Sequence, residues 1–390
     1  MKNRNIIFIV LFILILCIGF SSLFTDEKNE SVAEARVLNK YKHFTFNDFL
    51  EGTYQDHLED TIMDQLILSG TVKKTMQPLL SIHNNLLNYQ KLCQNKYLKI
   101  GKIENGKIYN FNCDDYIIYG NKTPKELNER LQLFTKAYSH LNEIIDVYYY
   151  YVPSSENFNF EENSKVVNVI DYLNNNMKKP YHIDELKYNN YEEYKNYFYK
   201  TDHHWNYKGS YQGYKDIYKL LNVSDKMLEP TEEKTYNVNF FGSFSRYSRF
   251  YNFKEKLSVY KYKIPYSFTT RINGVVRPYD YPNEYDNGTF KKTRAFNHYA
   301  RYYGGDYSEV IYDFDNPKKD NLLIISNSFS NAVNKLIASH FNKTFVVDLR
   351  HYENFNIENY LRIKKVDKVL ILFNDSFLEV NDFMLKWGDK

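Results

Sequence analysis

The sequence predicts an α/β fold, in which helices flank a sheet of parallel strands, with a β-rich insertion and an N-terminal transmembrane helix. Three observations support this prediction. Continuous apolar runs at 147–152, 322–325 and 368–373 are typical of strands that are covered on both faces. Segments with helical spacing of apolar residues lie between such runs, which is the order of elements in an α/β sheet. The uncharged run 6–24 is long enough to nearly cross a hydrocarbon core of about 30 Å.

The composition indicates a globular protein. Of its 390 residues, 43% are hydrophobic and 25% are charged, so the chain can bury a sizeable core. The formal net charge is only +3, and no block of lysines and arginines suggests a nucleic-acid surface. We therefore exclude nucleic acid as a partner.

The N-terminus predicts an anchored protein that faces outward. A short basic head, 1–5, precedes the apolar run 6–24, and acidic residues follow it. By the positive-inside rule, the head lies in the cytoplasm and the remaining chain lies outside the cell. A cleaved signal peptide is the alternative, but the run is longer than a usual signal core and no small-x-small site follows. Residues 25–43 have the polar composition of a stalk, which leaves 44–390 as the main domain.

The elements of this domain follow in order along the chain. Residues 44–80 look mostly helical, and 97–119 contain the short apolar runs and glycines of a hairpin. The run Thr-Pro-Lys-Glu at 123–126 predicts a capped helix that extends to about Ile145 and leads into a strand. Residues 225–300, rich in Tyr, Phe, Gly and Asn, are predicted to form an insertion lobe.

Cysteine is scarce outside the apolar run, where only Cys93 and Cys113 occur. In an oxidising compartment these two could form a disulfide. They could equally be two unpaired buried thiols, because sequence spacing does not give the distance between them.

The densest chemical cluster is Thr-Asp-His-His-Trp at 201–205. The carboxylate of Asp202 can bond one nitrogen of His204, and the other nitrogen can then deprotonate a hydroxyl. Alternatives remain open at this point. The cluster could bind a metal, although no third group of ligands stands out, or it could be a helix entry with incidental histidines. Trp205 could simply belong to the core.

A serine-rich turn, Ser326-Asn327-Ser328, separates the predicted strand 322–325 from a helix. Ligands of open α/β sheets bind at the carboxyl ends of strands. The free N–H groups of a helix N-terminus can stabilise an oxyanion there. A serine at this place could attack an acyl carbon, or it could merely cap the helix. The Asp202–His204 pair favours the nucleophile.

Together, the Asp-His-His-Trp run and the Ser-Asn-Ser-Phe-Ser-Asn-Ala turn resemble the bacterial DHHW family, which is related to the alginate O-acetyltransferase proteins J and X. Those relatives have SGNH-hydrolase-like domains. Segment 49–54 leading to Asp64-Gln65, the Tyr-Tyr-Gly-Gly-Asp segment at 302–306, and Val-Asp-Leu-Arg-His-Tyr at 347–352 are also similar to elements of the family. The resemblance covers roughly residues 44–375 and implies an SGNH-like catalytic domain.

The resemblance implies a triad in which Ser328 is the nucleophile, His204 the general base and Asp202 the residue that orients it. The backbone N–H of Ser328 would contribute to the oxyanion hole. Further substrate or oxyanion contacts are implied for Arg350, Asn327 and Gly305. His203 and Trp205 would support the loop.

Two positions depart from the family. Relatives usually have aspartate where Asn327 stands, so the amide keeps the size of the side chain but loses its charge. Relatives also tend to carry arginine where Ser69 stands. The second departure weakens inferences about the N-terminal element, but it affects no member of the triad.

The activity implied is O-acetyl transfer to a cell-surface or secreted polysaccharide, without a cofactor, by a single-pass protein of the bacterial cell membrane. Acetyl donors are cytoplasmic, so a membrane-bound O-acyltransferase is expected to relay the group. A carbohydrate acetyl esterase is the alternative, since the same triad deacetylates when water is the acceptor. A non-catalytic glycan-binding or assembly protein is a third possibility, which Asn327 favours.

Overall fold

The structure is a computed structural model that describes residues 26–31, 36–50, 53–65, 100–104, 107–111, 116–160, 162–248, 253, 255–277 and 296–379, together with Ile13 and Ser21. Its strands are, in chain order, β1 (Glu30–Ser31), β2 (Arg36–Val37), β3 (Ile100–Glu104), β4 (Lys107–Phe111), β5 (Ile117–Tyr119), β6 (Asp146–Val152), β7 (Phe158–Asn159), β8 (Ser164–Lys165), β9 (His182–Glu185), β10 (Glu232–Thr235), β11 (Ser258–Lys261), β12 (Thr269–Ile272), β13 (Val275–Arg277), β14 (Glu309–Asp313), β15 (Leu322–Ile325), β16 (Lys343–Val347) and β17 (Lys368–Asn374).

The helices are α1 (Phe46–Leu50), α2 (Thr53–Gln65), α3 (Pro124–Tyr138), α4 (Val169–Asn176), α5 (Tyr191–Tyr197), α6 (Tyr207–Leu220), α7 (Ser243–Ser248), α8 (His298–Tyr303), α9 (Asn334–Ala338) and α10 (Ile357–Lys364). Short 3-10 helices lie at Ser139–Glu143, Ser155–Asn157, Ser328–Ala332 and Phe377–Glu379.

A mixed sheet with the strand order β13-β12-β14-β16-β15-β17-β6-β9 forms the centre of the structure. The strands from β16 to β9 pair in parallel, whereas β14, β12 and β13 are added through antiparallel pairings. The expected parallel sheet is therefore corrected to a mixed one. A local cause lies between β12 and β13, where Asn273 and Gly274 have φ values of 46° and 81°. Positive φ at two consecutive residues is typical of a tight hairpin turn, which makes neighbouring strands antiparallel.

Helices cover both faces of this sheet, because alternate residues of a strand point to opposite sides. In β6, Tyr148 and Tyr150 pack with residues of α5, α6 and α9. Tyr149 and Tyr151 pack with residues of α3, α4 and α10. The continuous apolar runs in the sequence therefore correspond to strands that are buried on both sides.

The beginning of α3 agrees with the sequence prediction. The Thr123 hydroxyl accepts a hydrogen bond from the Glu126 N–H, and the Glu126 carboxylate accepts one from the Thr123 N–H. With Pro124 as the first helical residue, this is a capping box. The helix delivers the chain into β6, the strand that lies beside β17 in the sheet.

Two regions predicted as a hairpin, 97–119, and as an insertion lobe, 225–300, contain more β-structure connections than these predictions describe. In 97–119, β3, β4 and β5 form a three-stranded antiparallel sheet. In 225–300, β10 and β11 pair as a separate ribbon, whereas β12 and β13 extend the central sheet. The short helix α7 belongs to the same region and, as described below, contacts the loop at 202–204.

The predicted cytoplasmic head, 1–5, and the anchor, 6–24, lie outside the described residues apart from Ile13 and Ser21. Within the described part of the chain, no helix combines the length and the apolar character needed to cross a bilayer. Three further residues named above also lie outside the described residues: Ser69, Cys93 and Cys113. The anchor and the disulfide stay predictions.

Candidate active site

The Asp-His-His segment, 202–204, lies on a tight loop between α5 and α6. Phe198 and Trp205 form an antiparallel bridge at the base of this loop. The side chain of Asn206 then accepts hydrogen bonds from two N–H groups of the first turn of α6, which fixes the start of the helix. The loop is therefore held at both of its ends.

Trp205 connects this loop to the serine turn. It is fully buried, and its indole N–H donates to the carbonyl of Phe329 at 3.0 Å. Gly213 on α6 leaves room for the ring, because a Cβ at that position would lie 2.4 Å from indole Cζ3. The residue thus belongs to the core and also positions the two catalytic candidates relative to each other.

Ser328, His204 and Asp202 lie in one line of hydrogen bonds. The Nε2 atom of His204 is 2.8 Å from Ser328 Oγ, and its Nδ1 atom is 2.5 Å from Asp202 Oδ1. Because a carboxylate accepts the Nδ1 proton, we assign the tautomer in which Nε2 is free to accept a proton from the serine. The serine is 124 residues away in the sequence, at the carboxyl end of β15.

Asp202 is buried and surrounded by donors. Its Oδ1 atom also accepts the backbone N–H of His204 at 3.0 Å, and its Oδ2 atom accepts the N–H of Ser243 at 2.7 Å. Burial alone would raise the pKa of Asp202, but the charge and hydrogen bond of His204 outweigh it and hold this pKa well below its usual range. The carboxylate can therefore stabilise an imidazolium without taking its proton.

His203 makes no hydrogen bond to Ser328 in the described part of the chain. Its Nδ1 atom is 2.5 Å from Ser243 Oγ, and its ring centroid is 3.8 Å from that of His204. Burial, followed by the charge of His204, lowers the pKa of His203 to about 3. His203 is therefore neutral near pH 7 and adds no second positive charge beside the base.

Asn327 shapes the serine turn. Its Oδ1 atom accepts the N–H of Phe329 at 3.1 Å, and its Nδ2 group donates to Asn374 Oδ1 at 2.9 Å and Ser376 Oγ at 3.3 Å. The backbone N–H of Ser328 makes no hydrogen bond to the described part of the chain. It is therefore available to an oxyanion at the beginning of the 3-10 helix.

Two residues outside the Asp-His-His-Trp motif, Gly242 and Glu255, contact the loop that carries Asp202. Gly242 packs directly on Asp202, because a Cβ on this glycine would lie 2.3 Å from the Asp202 Cβ. The carboxylate of Glu255 accepts the N–H of Lys200 at 2.8 Å, and the N–H and hydroxyl of Thr201 at 3.1 and 2.9 Å. Burial raises the pKa of Glu255 to about 7.

Tyr299 of α8 covers the imidazole of His204. The two rings are stacked, with centroids 3.8 Å apart and planes inclined by 7°. The Tyr299 hydroxyl donates to the carbonyl of Ser328 at 3.3 Å. This tyrosine therefore restricts rotation of the base and also contacts the serine turn.

The guanidinium group of Arg350 forms hydrogen bonds with two carboxylates near the site. Its Nε atom is 2.9 Å from Asp348 Oδ1, and its Nη2 atom is 2.9 Å from Asp306 Oδ2. The amide of Asn331, on the turn that begins at Ser328, donates to Asp306 at 3.2 Å. Gly305, the residue before Asp306, lies in this clamped segment and makes no hydrogen bond to the triad in the described part of the chain.

A metal ion would compete with the observed bonds. Asp202, His203 and His204 each offer a ligand atom within 4.8 Å of the others. However, His204 Nδ1 and Asp202 Oδ1 bond each other, and His203 Nδ1 bonds Ser243. A cation held by these Nδ1 and Oδ1 atoms would displace both bonds, so the donor set fits a carboxylate-oriented base better than a metal centre.

Sequence reasoning did not select Ser243, Glu255 or Tyr299, although all three contact the triad or its loop. They come from 225–300, a region whose composition indicated only an insertion. Two local signals were present in the sequence. Ser243 follows the Phe-Phe-Gly run that ends at Gly242, and Tyr299 lies three residues before the Tyr-Tyr-Gly-Gly-Asp segment.

The fold and the site define an α/β protein in which a serine at the end of a central strand meets a His–Asp pair. Comparison with solved structures finds PatB1 of Bacillus cereus with a sulfonyl adduct, at a TM-score of 0.56 and 20% identity, covering 74% of this chain and 99% of PatB1. PatB1 without the adduct aligns at a TM-score of 0.55 and 22% identity, covering 74% and 100%. A DHHW family protein from Eubacterium siraeum aligns at 0.53 and 16%, covering 71% and 93%.

The O-acetyltransferase domain of Pseudomonas putida AlgJ aligns at a TM-score of 0.33 and 9% identity, covering 70% of this chain and 92% of that chain, which is too distant to carry an argument. No family model and no curated protein matches the chain by sequence. The matches establish the fold, and the resemblance to the DHHW family is confirmed at that level.

Proposed function

We propose that this chain is an O-acetyltransferase that acts on a polysaccharide outside the cell through a Ser328-His204-Asp202 triad. The observation that carries the proposal is the continuous line of hydrogen bonds, 2.8 Å from Ser328 Oγ to His204 Nε2 and 2.5 Å from Nδ1 to Asp202. A nucleophile, its base and the residue that orients the base need this arrangement.

The first half-reaction acylates the enzyme. Ser328 Oγ attacks the acetyl carbonyl carbon of the donor while His204 Nε2 takes the hydroxyl proton. The Ser328 N–H donates to the developing oxyanion. When the tetrahedral intermediate collapses, the bond to the leaving group breaks, and His204 returns its proton to that group. An acetyl ester on Ser328 remains.

The second half-reaction transfers the acetyl group. His204 removes the proton from a sugar hydroxyl, whose oxygen attacks the acetyl carbon, and the ester bond to Ser328 breaks. His204 then protonates the serine oxygen and restores the resting site. If water takes the place of the sugar, the same steps give an esterase, so acceptor binding decides between the two activities.

The polysaccharide acceptor is supported by the sequence motifs at 202–205 and 326–332, which resemble the DHHW family and its alginate O-acetyltransferase relatives. The outward orientation is supported by the charge pattern around 6–24. In this proposal, a membrane-bound O-acyltransferase supplies the acetyl group from the cytoplasmic side. The fold shared with PatB1, a protein that has been solved with a sulfonyl adduct, suggests a direct test. Sulfonyl fluorides react covalently with an activated serine hydroxyl.

The test has two measurements on the full chain. One sample is treated with phenylmethylsulfonyl fluoride and its peptides are analysed by mass spectrometry. An untreated sample is assayed for hydrolysis of 4-nitrophenyl acetate. We expect the adduct on Ser328, and we expect both labelling and hydrolysis to be lost in Ser328→Ala and His204→Ala. Ser308→Ala is the matched control, since Ser308 is a partly exposed serine whose hydroxyl donates to Asn273 Oδ1. Labelling elsewhere, or full hydrolysis by Ser328→Ala, would show that the triad is not the site. Assays with an added oligosaccharide acceptor then distinguish transfer, which gives acetylated sugar, from hydrolysis, which gives free acetate.

A further inference from the structure

His203 belongs to the Asp-His-His-Trp motif, but the triad mechanism gives it no function. Its ring lies directly beside the base, with centroids 3.8 Å apart. The side chain of His203 is 26% exposed, whereas that of its neighbour Asp202 is 1% exposed. The Nδ1 atom of His203 bonds Ser243, and its Nε2 atom makes no hydrogen bond to the described part of the chain. Nε2 is therefore free to bond a ligand.

The bonds of Ser243 decide which nitrogen of His203 carries the proton. The Ser243 hydroxyl oxygen accepts the backbone N–H of His203 at 3.3 Å and lies 2.5 Å from His203 Nδ1. Ser243 is 2% exposed, and among the described residues its O–H has no other acceptor than Nδ1. If Nδ1 carried the proton, this buried O–H would have no acceptor, which is costly. We therefore assign the proton of His203 to Nε2.

The carboxylate of Asp202 does not change this assignment. Its Oδ1 atom is 3.7 Å from His203 Nδ1, which is beyond hydrogen-bond distance. The same oxygen already accepts the backbone N–H and the Nδ1–H of His204. Because burial, followed by the charge of His204, lowers the pKa of His203 to about 3, the ring is a neutral donor near pH 7.

The Nε2 atoms of the two histidines lie close together. A ring nitrogen lies about 1.2 Å from its ring centre, so with centroids 3.8 Å apart the two Nε2 atoms are at most about 6 Å apart, which is about two hydrogen-bond lengths. One oxygen atom can therefore lie within hydrogen-bond distance of both nitrogens.

We infer that His203 is a further catalytic residue, whose Nε2–H donates a hydrogen bond to the oxygen that leaves the acetyl carbon in the first half-reaction and attacks it in the second. The inference rests on the proposed function, because it takes Ser328 as the nucleophile and His204 as the base. This oxygen exchanges a proton with His204 Nε2, so it must come within about 3 Å of that nitrogen. The carbonyl oxygen, by contrast, is bound by the Ser328 N–H.

The hydrogen bond stabilises charge without moving a proton. When the bond between the acetyl carbon and the leaving oxygen breaks, its electron pair goes to that oxygen, which takes the proton from His204. His203 keeps its own proton in both half-reactions. A neutral donor suits this place, since a second imidazolium would oppose protonation of His204. Neutral imidazole serves as a hydrogen-bond donor in other enzymes.

The experiment compares kcat/KM of the full chain for phenyl acetate and for 4-nitrophenyl acetate. For both esters kcat/KM includes acylation, the half-reaction in which the leaving oxygen departs. The phenolate oxygen is more basic than the 4-nitrophenolate oxygen, so it gains more from a donor in the transition state. Loss of such a donor should therefore affect phenyl acetate more.

Two substitutions separate this donor from the contact with Ser243. The amide nitrogen of glutamine can occupy the place of Nε2, whereas the shorter asparagine places its amide near Nδ1, beside Ser243. His203→Asn should lower kcat/KM about a hundredfold for phenyl acetate and less than about tenfold for 4-nitrophenyl acetate. His203→Gln should lower both values less than about tenfold. The control His182→Asn changes an exposed histidine of β9 and should change neither value.

A purely structural role for His203, in which it only holds Ser243, predicts the opposite order. His203→Gln would then lose at least as much activity as His203→Asn, and the loss would be the same for the two esters. Either result, or no loss in His203→Asn, would overturn the inference.

Nitrogen-15 NMR of the histidine-labelled, otherwise unaltered chain gives a second measurement, with His203→Gln used for assignment. We expect the proton of His203 on Nε2 near pH 7, and a proton on Nδ1 would also overturn the inference. This measurement keeps the test decisive if thermal unfolding shows that His203→Asn does not fold. Failure of the sulfonyl fluoride to label Ser328 would refute the proposed function. Labelling of Ser328 together with an equal loss for both esters would refute only the function of His203.

Discussion

Replacing Asp202 by asparagine keeps the shape of the side chain and removes its charge. Three donors face the carboxylate: the N–H and Nδ1–H groups of His204 on Oδ1, and the N–H of Ser243 on Oδ2. An amide has only one acceptor oxygen. If this oxygen faces His204, the NH₂ group opposes the Ser243 donor. If the amide is flipped, the NH₂ group faces the imidazole and favours the tautomer with a proton on Nε2, which cannot accept from Ser328.

The size of the effect follows from the lost charge. A carboxylate and an imidazolium about 4 Å apart, at an effective dielectric constant of about 20, attract each other by about 4 kcal/mol. At about 1.4 kcal/mol per factor of ten, Asp202→Asn should lower kcat/KM about a thousandfold. The unpaired donor should also lower the free energy of unfolding by about 1–3 kcal/mol.

The assay is hydrolysis of 4-nitrophenyl acetate by the full chain, together with urea unfolding of the same samples. Asp216→Asn is the matched control, because Asp216 accepts hydrogen bonds from Tyr150 and Gln212 away from the serine turn. It should lose stability but keep kcat/KM. A loss of less than about tenfold in a folded Asp202→Asn would refute the reasoning, since it would mean that the carboxylate neither fixes the tautomer nor stabilises the imidazolium.

Three further predictions concern the neighbours of this carboxylate. His204→Ala should lower kcat/KM about a thousandfold or more, whereas His203→Gln should lower it less than tenfold, because of the two histidines it is His204 that bonds the Ser328 hydroxyl; steady-state kinetics on both variants checks this. Tyr299→Phe should lower kcat/KM about threefold, because the stacked ring remains, whereas Tyr299→Leu should lower kcat/KM about thirtyfold, because His204 can then rotate. A similar loss of kcat/KM in both variants would show that the hydroxyl matters more than the ring. The pKa of Glu255 is about 7 in the folded protein, above the unfolded value of about 4.3, so the folded state binds this proton more tightly. The free energy of unfolding should therefore fall as the pH rises from the unfolded pKa to the folded pKa. Glu255→Gln should therefore reduce the drop in unfolding temperature between pH 5.5 and 8.5, and an unchanged drop would contradict this assignment.

The core of the fold could be predicted because burial on both faces leaves a direct mark on the sequence. The strands at 146–152, 322–325 and 368–374 appear as continuous apolar runs, and the capping box at 123–126 marks the start of its helix. The antiparallel edge could not be read in the same way. The strands of 269–277 are short and partly exposed, so they lack the apolar run. The Asn-Gly pair between them is typical of a hairpin turn, but it does not specify where the hairpin joins the sheet.

The site could be predicted only where its chemistry lies in local motifs. Asp202 and His204 are two residues apart, and Ser328 lies on a turn between a strand and a helix, so each is visible in a short window. Ser243 and Tyr299 reach the site from separate elements by backbone and ring contacts. Such contacts depend on how loops meet at the end of the sheet, and no periodicity in the sequence specifies that.

Asn327, the position that most favoured a non-catalytic protein, has a structural explanation. Its amide acts as donor and acceptor at once, because Nδ2 donates to Asn374 Oδ1 while Oδ1 accepts from Phe329. Asn374 Oδ1 also accepts from the Ser376 hydroxyl and the Phe377 N–H, so it is oriented as an acceptor and needs a donor opposite. A carboxylate at 327 would place an acceptor against an acceptor in a buried site. The amide is therefore the side chain that this particular neighbourhood requires to hold the serine turn, and the departure from the family pattern is no argument against catalysis.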